Sequence, residues 1–321
     1  MWIGVALRVA PRGGAELMRV VYILGLAHTG TTIIDRILSC YPGVIGLGEV
    51  EHIFRKIDRQ TIHKLSCPCG AKSSECPFWK DVTARKYAST GEFFSEIVAN
   101  ARTQGYSTIV DSSKSVGTSS QYSRMAARGE ISDLSLLRVV RDPRGWVHSM
   151  ARREKVELTD TERVRALFHR WLLASMKLDA KVQRRKDSNV IYVWYDRLIL
   201  GREENRLAEL VGLPPAPGDE ISLESANQHA IAGNKFAFSK KREKLTYDTR
   251  WLESPEIEEI YASLPDLRSY YHDLQKLHLD KSAPMPAAPA QEAIAALEAW
   301  LNESGVSSPE KKAARLEIAA L

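Results

Sequence analysis

An α/β fold, with a parallel sheet flanked by helices, follows from three features of the sequence. The run RVVYILG, Arg19 to Gly25, is β-branched and apolar without alternation, as a strand buried on both faces requires. A glycine-containing loop and a helical pattern come directly after it. The same strand-then-helix order then recurs along most of the chain, which implies parallel neighbours.

Taken in order, the first helix spans Thr31 to Cys40 (TTIIDRILSC), where Ile33, Ile34, Ile37 and Leu38 share one face and Tyr41-Pro42-Gly43 stops the element. STIVD, Ser107 to Asp111, reads as a second strand, with a helix near Gln121 to Arg128 behind it. LSLLRVV, Leu134 to Val140, is a third strand. An amphipathic stretch from Thr161 to Arg185 leads into the strand NVIYVWY, Asn189 to Tyr195, and a helix over ENRLAELVGL closes at Pro214. Residues 1–17 carry a short apolar patch without a basic flank or a cleavage site and are read as a disordered extension. Residues 18–280 form the main domain. Residues 281–321 shift to a Pro/Ala linker and a short helical tail, read as a docking or dimer-contact element, so a homodimer is one expectation.

Composition narrows the function. The net charge of +5 is mild and its basic residues are interleaved with acids, so nucleic acid is not the expected partner. No apolar run reaches the ~20 residues of a membrane span. Four cysteines without an export signal point to a reducing compartment, and the cytoplasm is the expected location.

Two segments carry anion chemistry. Gly25-Leu26-Ala27-His28-Thr29-Gly30-Thr31-Thr32 lies between the first strand and its helix, where backbone amides and the helix dipole converge. It is P-loop NTPase-like, except that Thr31 stands where nucleoside triphosphatases carry lysine, which disfavours triphosphate hydrolysis. Arg141-Asp142-Pro143-Arg144 follows the third strand, and Ser149 lies on the helix beyond; Arg141 and Ser149 suit a second phosphate.

GLAHTGTT, GEVE, DSSK and VVRDPRGWVHS stand in the order seen in sulfotransferases that use 3′-phosphoadenosine 5′-phosphosulfate (PAPS), and the chain from Val20 to Leu274 resembles that family. The similarity is greatest to tyrosylprotein sulfotransferases and their bacterial relatives. The resemblance implies the sulfotransferase fold, PAPS as co-substrate and no metal requirement. It implies that His28, Thr29, Gly30, Thr31 and Thr32 hold the 5′-phosphosulfate and that Arg141 and Ser149 hold the 3′-phosphate. His28 replaces the arginine of the tyrosylprotein enzymes; an adjacent phosphate would favour its imidazolium. The acceptor is then a hydroxyl on a small molecule, glycan or peptide.

Sulfuryl transfer to an alcohol needs a base, in-line approach and a cation for the leaving phosphate. Glu49 resembles the family's carboxylate base, with Glu51 the weaker candidate, and Lys114 resembles its leaving-group lysine; His28 completes the expected catalytic set. Asp111 reads as structural, and Ser112 or Ser113 as a cap for the next helix. Tyr195 matches a tyrosine beside the nucleotide, and Asn234 with Lys235 a late loop that closes over PAPS. Cys67, Cys69 and Cys76 leave three readings open: a zinc site with nearby His63, a disulfide of Cys76 with Cys67 or Cys69, or free thiols. A P-loop kinase and a non-catalytic nucleotide-binding module are the alternative functions.

Overall fold

The computed structural model describes residues 18–55, 59–185, 189–216, 221–233 and 247–281. The N-terminal extension, the tail after Lys281, and Asn234 and Lys235 lie outside them. In chain order the elements are β1 (Arg19–Gly25), α1 (Thr31–Leu38), β2 (Val44–Gly46), α2 (Val50–Arg55), α3 (Arg59–Ile62), α4 (Trp79–Ala84) and α5 (Thr90–Thr103). There follow β3 (Thr108–Asp111), α6 (Val116–Ala127), β4 (Asp133–Val140), α7 (Pro143–Glu154), α8 (Thr161–Gln183) and β5 (Asn189–Trp194). Helices α9 (Tyr195–Gly201), α10 (Glu204–Leu210), α11 (Pro255–Ala262) and α12 (Pro265–Gln275) complete the described chain.

The strands form one parallel sheet in the order β2-β3-β1-β4-β5, so the expected α/β architecture is present. Both faces are covered, and the period of two in each strand divides the core. Val20, Tyr22 and Leu24 of β1 face one apolar cluster, together with Leu136 of β4 and Trp146, Val147 and Met150 of α7. Val21 and Ile23 face the other, with Ile34, Ile37 and Leu38 of α1 and Leu137 and Val139 of β4. The helices after β1 and β4 therefore leave on opposite faces of adjacent strands. That topological switch opens a crevice at the carboxyl ends of the two strands, where ligands of open α/β sheets bind.

Local sequence explains the element ends. Asp142 caps α7 by accepting the Arg144 N–H at 2.9 Å, and Pro143 supplies the helical φ at its first position. Helix α1 stops at Leu38 rather than Cys40 because the Cys40 N–H turns to the Ile37 carbonyl. Helix α6 begins at Val116, ahead of the expected Gln121, with Ser115 as its cap. Strand β2 has only three residues and no strand pattern of its own; it is positioned by pairing Val44–Gly46 with Thr108–Val110. No described helix is long and apolar enough to cross a membrane.

Candidate active site

The loop after β1 is built to leave amides pointing outward. Thr29 is buried, and both its N–H and its hydroxyl go to the Leu26 carbonyl, the latter at 2.7 Å, so this residue shapes the turn. Gly30 then enters the left-handed region at φ 90° to start α1. A Cβ there would lie 2.3 Å from Cδ2 of Tyr195, so only glycine fits. Tyr195 begins α9 and supports the loop from beneath. Helix α1 therefore opens with the amides of Gly30, Thr31 and Thr32, which have no backbone acceptor among the described residues.

Arg141, at the end of β4, reaches this loop: its Nη1 donates to the His28 carbonyl at 3.0 Å, and its guanidinium carbon lies 5.8 Å from the Tyr195 ring centre. Its Nε is buried and has no hydrogen-bond partner among the described residues. The His28 ring is turned towards α7, with Nδ1 at 3.0 Å from Ser149 Oγ and Nε2 at 3.1 Å from Arg153 Nη1. A guanidinium can only donate, so Nε2 accepts and Nδ1 carries the proton towards Ser149. Arg153 lies four residues after Ser149 on the same helical face, a spacing that the sequence displays.

Glu49 is buried just before α2 and accepts from Lys114 Nζ, while His52 Nδ1 lies 3.2 Å from its other oxygen. Two buried carboxylates fix this pair in place. Asp35 of α1 accepts from the Gly48 N–H at 3.2 Å, Ser112 Oγ at 2.7 Å and Gln228 Nε2 at 3.0 Å. One side chain thereby ties α1 to Gly48, beside Glu49, to Ser112, two residues before Lys114, and to Gln228. Burial pushes its carboxyl up to about 6 despite these donors. Asp111 accepts from the Ser113 N–H and hydroxyl and from the Tyr122 hydroxyl, and burial raises it to about 7.

Ser112 and Ser113 are therefore committed to these carboxylates, and Ser115 caps α6 instead. Ser113 Oγ also receives the Glu51 N–H at 3.0 Å. His28 and Lys114 both hold positive φ, 65° and 71°, without ending a helix as Lys155 and Arg202 do. Strained backbone of this kind concentrates where a side chain must be aimed.

Gly233 closes the Glu49 side of the crevice: at φ 112° it lies so near that a Cβ would be 3.0 Å from Glu49 Cγ. It leads directly into the expected Asn234-Lys235 loop.

Among the cysteines no disulfide forms. Sγ of Cys69 and of Cys67 lie 3.8 and 3.6 Å from that of Cys76, far beyond the ~2.05 Å of a bond. The histidine beside them is His229, not the expected His63: its Nδ1 lies 3.1 Å from Cys76 and 3.5 Å from Cys67. His229 is some 150 residues away along the chain, so no local pattern could have indicated it.

No protein-family model and no curated protein matches the chain. Among solved structures it is similar to a "Sulfotransferase Domain from the Curacin Biosynthetic Pathway", at 14% identity and TM-score 0.37, over 78% of this chain and 98% of that one. It is also similar to a "Sulfotransferase Domain from the Synechococcus PCC 7002 Olefin Synthase", at 14% identity and TM-score 0.42, over 92% of this chain and 98% of that one. Both TM-scores lie under 0.5, too low for either likeness to bear on function.

Proposed function

We propose that the chain is a sulfotransferase that moves the sulfuryl group of PAPS to an acceptor hydroxyl, with Glu49 as general base. The observation that carries this reading is Arg141. It joins the phosphate loop through the His28 carbonyl yet keeps a buried Nε with no partner among the described residues. A buried donor left so costs free energy that an anion at that edge would recover. The residues fit a nucleotide esterified at two ends. Amides of Gly30, Thr31 and Thr32, with the Thr31 and Thr32 hydroxyls, form one anion site at a helix N-terminus. Arg141, Ser149 and Arg153 form another on α7 and the end of β4. His28 links the two, its backbone in the loop and its ring on Ser149 and Arg153, and so belongs with donor binding rather than with proton transfer. Asn234 and Lys235 are the proposed cover.

PAPS supplies a sulfuryl group already activated by a phosphate leaving group. The chain must then orient the acceptor, remove its proton and neutralise the departing charge. Lys114 meets the last need and is held against Glu49 in the meantime. Turning an ammonium proton towards the leaving phosphate frees a Glu49 oxygen to take the acceptor's proton. His52, on the carboxylate's other oxygen, keeps it aimed while this happens.

A kinase reading would place a metal-holding acid beside the loop. Asp111 ends β3, one of the two strands beside β1, but it pairs in register with Tyr22, three residues short of Gly25, and is spent on Ser113 and Tyr122. The test is transfer from 35S-labelled PAPS to a panel of phenols, sugars and tyrosine peptides, together with thermal shifts in adenosine 3′,5′-bisphosphate, AMP and ATP. The reading expects labelled product with some acceptor class and the largest shift from the bisphosphate. Phosphate transfer from ATP without response to the bisphosphate would overturn it.

A further inference from the structure

Outside the crevice, Cys67, Cys69, Cys76 and His229 bring four ligand atoms within 4.8 Å of one another, the kind of group that could hold a metal ion among the described residues. Zinc binds thiolate sulfur at ~2.3 Å and imidazole nitrogen at ~2.0–2.1 Å, so a tetrahedral site has edges of about 3.8 Å between sulfurs and about 3.5 Å between sulfur and nitrogen. Cys76 lies 3.8 and 3.6 Å from the sulfurs of Cys69 and Cys67, and His229 Nδ1 lies 3.5 and 3.1 Å from those of Cys67 and Cys76. Hydrogen bonding between thiols, which are weak donors and acceptors, gives no reason for four such groups from two distant segments to gather within 4.8 Å of one another.

We propose that these residues form a structural Cys3His zinc site. The short C-x-C spacing need not strain the metal, because only two ligands come from it: Cys76 approaches from the far side of the loop and His229 from another part of the fold. The knuckle is prepared by backbone bonds, the Gly70 N–H to the Cys67 carbonyl and the Cys67 N–H to the Ala71 carbonyl, both at 2.9 Å. His229 is held at both backbone atoms, its N–H on Gly46 at 2.7 Å and its carbonyl accepting from Trp79 Nε1. Cys67 and Cys76 are buried and Cys69 is exposed, so the site has a dry interior and one side open to metal entry. Three soft thiolates and an imidazole select zinc over magnesium or calcium, which prefer oxygen. Four protein ligands leave no open position, so the role is structural rather than catalytic.

The metal would serve a segment with little regular structure. Between α3 and α4 the chain has only an isolated bridge from Ser66 to Lys72, and the ion would fasten that loop to residues 227–233. That second segment bridges β2 through Gln228, holds Asp35, and ends at Gly233 against Glu49. Zinc would thus brace the wall behind the proposed base without touching substrate.

The test uses the full chain, expressed with zinc in the medium and purified without chelators. Metal analysis is expected to find about one zinc per chain, falling below about one-tenth in Cys69→Ser and His229→Ala. Cys40→Ser should keep its zinc, since that thiol instead meets the Arg36 and Ser222 carbonyls. Cobalt exchanged into the wild-type protein should give thiolate-to-metal charge transfer and the intense red-region bands of a tetrahedral ion, a readout that survives if a variant fails to fold. Wild-type protein that holds less than about one-tenth of an equivalent of zinc and takes up no cobalt would overturn the proposal. So would an intact mass lacking two hydrogens, with a peptide linking Cys76 to Cys67 or Cys69.

Discussion

Replacing Glu49 by glutamine keeps an oxygen for Lys114 to donate to and removes only the charge and the basicity. A positioned general base contributes about 10²–10⁴ in rate, or roughly 3–5 kcal/mol of barrier. The cost to folding is smaller. Breaking a fully buried ion pair costs about 3–5 kcal/mol, but the Lys114 side chain is 20% exposed and glutamine still accepts, so about 1–2 kcal/mol is expected. The two effects separate by assay. Single-turnover transfer from labelled PAPS should fall at least about 100-fold, while the affinity for adenosine 3′,5′-bisphosphate stays within about threefold. Glu51→Gln is the matched control and should leave both within about threefold. Transfer by Glu49→Gln within threefold of wild type would refute the assignment of the base.

Gly30→Ala forces a Cβ into the buried Tyr195 ring at positive φ, so about 2–5 kcal/mol of stability and most bisphosphate affinity should be lost; unchanged melting and binding would contradict the close approach. Arg138→Met leaves Asp179 buried with the Tyr192 and Tyr270 hydroxyls as its remaining side-chain partners among the described residues, and urea denaturation should show a loss of about 3–5 kcal/mol. Asp35 and Asp111 titrate at about 6 and about 7 in the folded chain, against 3.8 as ordinary carboxyls. Between those limits the native state keeps protons the unfolded chain has released, so their contribution to stability falls as pH rises, by up to about 1.4 kcal/mol per pH unit for each group. The stability of wild type minus that of Asp111→Asn should therefore decline from pH 4.5 to 6.5; a flat or rising difference would show that Asp111 is ionised in the fold.

What could be read in advance follows a physical division. Strands β1, β4 and β5 announce themselves because burial on both faces demands unbroken apolar runs, and the loop after β1 because a helix entered through glycine leaves amides open. β2 did not, since three residues carry no period and pairing alone makes them a strand. Helix α5 has a local signal in Ser-Thr-Gly-Glu: Ser89 caps it by accepting the Glu92 N–H, and the Glu92 carboxylate reaches back to the Ala88 N–H, one residue before the cap. Asp35 appeared only as a polar residue in a helical pattern. Its donors besides Ser39 come from Gly48, Ser112 and Gln228, which only the folded chain assembles. His52 beside Glu49 is different: the i,i+3 spacing from the residue before α2 into its first turn is legible in the sequence.

The sharpest test is calorimetry of adenosine 3′,5′-bisphosphate and AMP on wild type and on Arg141→Met. A charge-assisted contact to the second phosphate is worth about 1.5–3 kcal/mol, so the wild type should favour the bisphosphate and the variant should lose about 10–100-fold of that preference. A preference that survives the loss of the Arg141 guanidinium undiminished would contradict the two-phosphate crevice from which the proposed chemistry is built.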